Sequence, residues 1–347
     1  MQKRVSGVSV NGTAFKIMTN TSLRPAAVKC IKSIFYNFFF RQYRAALFPG
    51  KIPVSQVDHA LDKKIPFTPD WIGIYLDFVA FWIRSIGFLL QEYREKVRGT
   101  VEQGAAAQGE QIPAQEKWIT AVAAVKDFLD SMGALYAFAA EVYQKNLSTT
   151  MRPFYIRRFR FLLVHAFDPH LMCIPSLHVM VVIRTYTKFA AILRSLGDEK
   201  TYAPQIAEIK KGALDITEAI LYVKQHSVNC VAAAMYAMTC FDAKLFPQSE
   251  AEDFVSRLFT EDTSDEPPVT AKLSKIGPAE GAEIRNHIAT LYRQFLAEHC
   301  ETSNKASPGT PGEVSSGAAS WDTPLIRFLQ SLPQKSARPE TSAGAKS

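Results

Sequence analysis

Ile72–Leu90 is the stretch that most restricts the fold, because it is apolar along its length apart from the charges of Asp77 and Arg84. At ~20 residues and about 1.5 Å per residue, a helix there matches the roughly 30 Å of hydrocarbon in a bilayer. Asp77 and Arg84 stand seven positions apart, two turns along one helical face. That spacing predicts an ion pair inside a bundle, where intramembrane charges are usually placed. Five further segments have helical length: Val28–Phe48, Trp118–Tyr143, Leu177–Leu193, Ala213–Lys224 and Cys230–Phe241. None of the six is a clean run of about 18 uncharged residues. Trp118–Tyr143 is alanine-rich, which allows helices to approach closely. Val28–Phe48 sets aromatic residues among Lys29, Lys32, Arg41 and Arg44. That pattern suits a helix at a membrane interface, or a basic amphipathic helix on a soluble core. The expectation is an all-α fold, a six-helix membrane bundle.

Around that bundle the chain divides by composition. Residues 1–27 read as a flexible polar lead, and Lys3 and Arg4 followed by polar residues argue against a secretory signal. Residues 28–245 form the helical domain, with connectors at 92–117 and 194–211. Residues 246–300 are an acidic linker followed by an amphipathic helix that aligns Ile284, Ile288, Leu291, Tyr292 and Phe295. Residues 301–347 are rich in Ser, Gly, Pro and Ala and read as a disordered tail. Basic residues in the two connectors place them in the cytoplasm. Arg152, Arg157, Arg158 and Arg160 then fall on the opposite face, against the charge rule, which makes sense if they serve a phosphate site.

The net charge of +7 and isoelectric point near 9.0 favour an anionic partner. Nucleic acid is disfavoured, since no zinc spacing, RNP-like run or helix-turn-helix signature is present. The cysteines (Cys30, Cys173, Cys230, Cys240 and Cys300) are odd in number and mostly in apolar context, so they read as reduced thiols.

Three short stretches carry chemistry. Ile174-Pro175-Ser176-Leu177-His178-Val179 opens an apolar run, with proline suited to a first helical turn. A hydroxyl and an imidazole near a helix N-terminus suit an anion, because free N–H groups and the positive dipole end lie there. Upstream stand Lys145 and Arg152-Pro153; downstream stand Lys224-Gln225-His226. Each has a plainer reading: Ser176 as a cap, Lys145 and Arg152 as a solvated cationic face, His178 and His226 as satisfied core histidines. His165 and His170 read as local structure or pocket lining, and Cys230 as a small core residue.

In order, these stretches resemble the type 2 phosphatidic acid phosphatase superfamily, with its patterns KxxxxxxRP, PSxH and SRxxxxxHxxxD. Ile65-Pro66-Phe67-x-Pro69 looks like the branch carrying PSLHV in place of PSGH. The resemblance covers roughly residues 30–245. It implies a membrane bundle of the type 2 phosphatidic acid phosphatase and vanadium haloperoxidase kind, acting without a metal or other cofactor on a phospholipid or polyprenyl phosphate. Lys145, Arg152, Ser176 and Lys224 would hold the phosphate, His226 would attack phosphorus and His178 would protonate the leaving oxygen. An integral protein of the inner membrane, with its site on the non-cytoplasmic side, is implied. The third pattern departs from the family: Ala219 and Ile220 replace its Ser-Arg, and Cys230 replaces its aspartate. Asn229 could orient the ring but supplies no charge. This departure opens the alternative of a catalytically impaired member that binds membrane lipid or acts as a scaffold.

Overall fold

The computed structural model describes residues 3–102, 108–260, 273, 275–305 and 320–335. The fold is all-α, as expected, with two three-residue strands. The first helices are α1 (Val10–Thr19), α2 (Arg24–Ile34) and α3 (Arg41–Leu47), with a π-helical segment Phe35–Phe40 between the last two. Ser9 caps α1 by accepting from Gly12 N, and Pro25 sits in the first turn of α2, where its missing N–H costs nothing. Pro49-Gly50 ends α3, with Gly50 at φ 88°, a conformation that favours glycine. Strand β1 (Val54–Gln56) then pairs in parallel with β2 (Leu147–Thr149). A 3₁₀ turn, Ala60–Lys64, follows β1 and is closed by a reciprocal cap between His59 and Asp62.

The body of the fold comprises α4 (Ile72–Tyr75), α5 (Phe78–Glu102), α6 (Gln108–Lys145), α7 (Phe159–Phe167), α8 (Leu177–Ser195), α9 (Ala203–Tyr222) and α10 (Val228–Phe241). Helices α8 and α10 are central. Every residue of α10 from Val228 to Met238 is buried, and α8 packs on α5, α6, α9 and α10. The alanines 232–234 give α10 a slim cross-section that suits this packing. Asp77 and Arg84 form the ion pair that their spacing predicts.

The sequence-based boundaries differ from the structure in three places. Most of connector 92–117 is helical, continuing α5 and beginning α6; residues 103–107 lie outside the described part. The lead is anchored: Val5, Val8, Ile17 and Leu23 are buried, and Glu208 accepts from the N–H groups of Val5 and Ser6. The described residues from 246 onward also contribute to the core. Helices α11 (Gln248–Arg257) and α12 (Pro278–Lys305) pack against α10, and α13 (Thr323–Ser331) buries Leu325 and Leu329. Gln56 N donates to Pro333 O, and Lys335 N to Val54 O, so the segment after α13 lies along β1. The tail expected from 301 is therefore ordered over 301–305 and 320–335, while 306–319 and 336–347 lie outside the described residues.

Among the described residues one helical stretch, Pro69–Gly99, has the length and mean hydropathy (1.6 over its best window) to cross a membrane. Half of that window is buried within the fold. Apolar surface is concentrated elsewhere. Phe35, Tyr36, Phe40, Leu47 and Phe48 are exposed on one side, and Met151, Phe154, Phe159, Leu162 and Phe167 on another. The two groups adjoin, because Tyr43 OH donates to Phe167 O.

Candidate active site

Ser176 is the N-cap residue of α8, yet its hydroxyl caps nothing and lies 3.4 Å from His226 Nε2. Pro175 stands just ahead of that cap rather than inside the first turn, a shift of the helix start from the expected position. His226 Nε2 is also 3.3 Å from His178 Nδ1. The His178 ring packs against Tyr75 and Phe78, with centroids 4.6 Å and 4.3 Å away, which fixes its plane. Ser176, His178 and His226 are thus brought together as the three stretches imply.

The turn that presents His226 is built by hydrogen bonds at both helix ends. Helix α9 closes with Lys224 N bonded to Leu221 O and Gln225 N to Ile220 O, while Lys224 itself adopts φ 56°. Helix α10 begins at the cap Ser227, and Asp62 Oδ1 accepts from Val228 N at 2.9 Å. Lys224 Nζ donates to the Asp62 carbonyl, and burial lowers its pKa. The 3₁₀ turn around Asp62 therefore holds the histidine-bearing turn from outside.

Arg152 reaches the same place from the strap after β2. Its Nη2 donates to Asp168 O at 2.9 Å and its Nη1 to Gln225 Oε1 at 3.1 Å, linking the guanidinium to the residue beside His226. Asp168 accepts from the N–H of His170 at 2.8 Å and from Gln42 Nε2 at 3.0 Å. His170 Nε2 lies 2.6 Å from Thr150 Oγ1, and its ring centroid is 6.5 Å from that of His226. Burial opposes the charge on Asp168, but His170 and the Arg152 cation outweigh it and hold the carboxyl well below its ordinary pKa. His226 is held neutral, chiefly by burial and then by His178 and His170, with Asp168 pulling the other way. Burial likewise takes His178 down to about 4. The Nδ1 of His226 has no hydrogen-bond partner of regular geometry among the described residues, although the Cys173 main chain lies close enough to the ring to favour its charged form.

Two of the expected phosphate ligands point elsewhere. Lys145 forms an ion pair with Asp322 ahead of α13, a partner in the stretch that composition assigns to a tail. Lys224 is committed to Asp62 and to the backbone turn. Asn229 does not orient His226: its Nδ2 donates to Val57 O and its Oδ1 accepts from His287 Nε2 at 2.8 Å. Cys230 is buried in the core. Asp168, Gln225 and Thr150 are site residues that the motif spacing does not mark. The polar turn Asp168-Pro169-His170 and the adjacency of Gln225 to His226 are the available signals. Among the described residues no group of three or more His, Cys, Asp and Glu side chains is arranged to hold a metal.

The left-handed backbone at Lys224 gives a direct stability test. Lys224→Gly and Lys224→Ala both remove the bond to Asp62, but only glycine relieves the positive φ. The glycine variant should be more stable than the alanine variant by about 1 kcal/mol in urea denaturation, the reverse of the order in a helix interior. Both should retain the site, since the ammonium faces away from it.

Comparison with protein-family models, with curated proteins and with solved structures finds no match to this chain.

Proposed function

We propose that the chain is a metal-independent phosphatase or phosphotransferase acting on a lipid phosphate or pyrophosphate at a membrane. The observation that carries this reading is the contact of one buried histidine nitrogen, His226 Nε2, with both Ser176 Oγ and His178 Nδ1 at an uncapped helix N-terminus. An incoming phosphate displaces His178 from His226 Nε2. Arg152, Ser176 and the first N–H groups of α8 hold the nonbridging oxygens and stabilise charge in the transition state. His226 Nε2 attacks phosphorus; the P–N bond forms as the ester P–O bond breaks, and His178 gives its proton to the departing oxygen. Water, deprotonated by His178, then cleaves the P–N bond and releases inorganic phosphate; an acceptor alcohol in place of water gives transfer. The exposed aromatic groups at Phe35–Phe48 and 151–167, interspersed with arginines, support attachment to a bilayer, with Pro69–Gly99 as the candidate span.

The test is phosphate release from a panel of lipid phosphates and pyrophosphates by the full chain, with and without vanadate, across pH. In the free protein the active form carries its proton on His178 and none on His226. Because His178 titrates near 4, the fraction protonated falls as pH rises above that value. The kcat/KM should therefore rise about tenfold per unit as pH falls from 7 toward 5. A profile that is flat or rises toward alkaline pH contradicts His178 as the acid.

The side-chain partners of the His226 ring, Ser176 and His178, include no carboxylate to support a cationic imidazole, which favours a second reading, a catalytically impaired protein that binds anionic lipid or serves as a membrane scaffold. It predicts lipid binding with no vanadate-sensitive phosphate release from any member of the panel.

A further inference from the structure

A cavity of about 990 Å³ lies between α3, the 48–54 loop, β1, β2 and the segment after α13. Its lining includes none of Arg152, Ser176, His178, Gln225 and His226, and the Leu171–Met172 wall that bounds it leads directly into Cys173–Ser176. Tyr143, another wall residue, donates through its hydroxyl to Pro175 O, so the cavity and the phosphate site share one supporting segment.

Its lining has two parts. Arg41, Arg44, Lys51 and Lys335 supply four cations, and no aspartate or glutamate is among the lining residues. None of the four forms an ion pair with a described residue. Arg41 Nε donates to Asn37 Oδ1 at 3.4 Å and its guanidinium lies over the Tyr36 ring, while Lys51 lies over Phe48. The remaining walls, including Phe48, Val54, Leu147 and Leu171, are apolar. Four gathered cations without a carboxylate repel one another unless an anion joins them. Apolar walls behind them leave room for a hydrocarbon chain. The mouth adjoins the exposed aromatic surface of Phe35–Phe48, where a lipid would arrive.

We propose that this cavity binds an anionic phospholipid, its phosphate on Arg41, Arg44, Lys51 and Lys335 and the start of an acyl chain along the apolar walls. The inference does not depend on the phosphatase reading, because it concerns a separate site and a headgroup that need not be cleaved.

The test uses the full chain and dioctanoyl phosphatidylglycerol, a soluble lipid phosphodiester, with binding read by native mass spectrometry and calorimetry. Inorganic phosphate is the second ligand. Three variants are compared: Arg44→Glu with Lys51→Glu, Ala45→Trp to fill the cavity while keeping its charges, and Arg94→Glu with Arg98→Glu as an exposed basic surface outside it. The proposal expects one lipid bound per chain, weakened about tenfold or more by each cavity variant. The outside variant should bind as the wild type does, and inorganic phosphate should bind far more weakly than the lipid. Equal weakening by the outside variant, unchanged binding in the two cavity variants, or phosphate binding as tight as lipid would each overturn it. Thermal melts of the variants identify loss of fold, and because two unrelated cavity substitutions are used, either folded one decides the matter.

Discussion

On the proposed mechanism, His226→Ala should lower phosphate release from the best lipid phosphate by ~10⁴-fold or more while leaving the fold in place, because the substitution removes the atom proposed to bond to phosphorus. The ring makes no ion pair with a described residue, and its side-chain polar contacts are to Ser176 and His178. Its loss therefore leaves a small polar void at the end of α9 rather than an uncompensated charge, a change of about 1–2 kcal/mol. Activity and stability separate cleanly at this position. His226→Gln, which keeps the volume and a hydrogen-bonding atom, should be equally inactive. Steady-state turnover together with a urea melt checks both statements.

The second large effect belongs to Arg152. Its guanidinium has a side-chain exposure of 17% and is held in place by Asp168 O and Gln225 Oε1, so its orientation is set before any phosphate arrives. Pre-orientation of this kind is where a planar fork differs from a flexible ammonium. Arg152→Ala should lower kcat/KM by about 10²–10³-fold, the cost of removing one transition-state donor, and Arg152→Lys should recover little of it. Loss of the cation also removes one of the groups that hold the Asp168 carboxyl down. Arg152→Ala should therefore raise the Asp168 pKa, which can be followed by NMR titration of a labelled side chain independently of turnover.

What the sequence makes legible here is the local chemistry, and what it hides is long-range pairing. Ser176, His178 and His226 can be found from spacing because two of them share a helix start and the third follows a helix end, both positions with free backbone groups. Arg152 is legible through the resemblance, whose first pattern ends in Arg-Pro. Lys145 is not, because its position is decided by Asp322, 177 residues away, in a stretch whose composition resembles a tail. Lys224 looks like a replacement cation until the backbone is seen: φ 56° turns the chain there, and the side chain leaves toward Asp62. Asn229 is drawn off by His287, which arrives on α12.

The helices follow the same division. The ion pair of Asp77 with Arg84 is a local matter of two turns and is readable from spacing. The continuation of α5 and α6 into 92–117 is hidden by glycines and charges that resemble a connector. The buried face of α13 is Pro324, Leu325 and Leu329, three of nine residues, a signal too short to separate from the Ser- and Pro-rich sequence around it.

The central claim is that His226 forms a covalent bond to phosphorus, and rapid acid-free quench of the full chain with radiolabelled lipid phosphate tests it most directly. The account predicts label that is stable to alkali and lost in acid, on a peptide containing His226, and absent from His226→Ala. Label on Ser176, or vanadate-sensitive turnover by the His226→Ala variant with no trapped label, would contradict it.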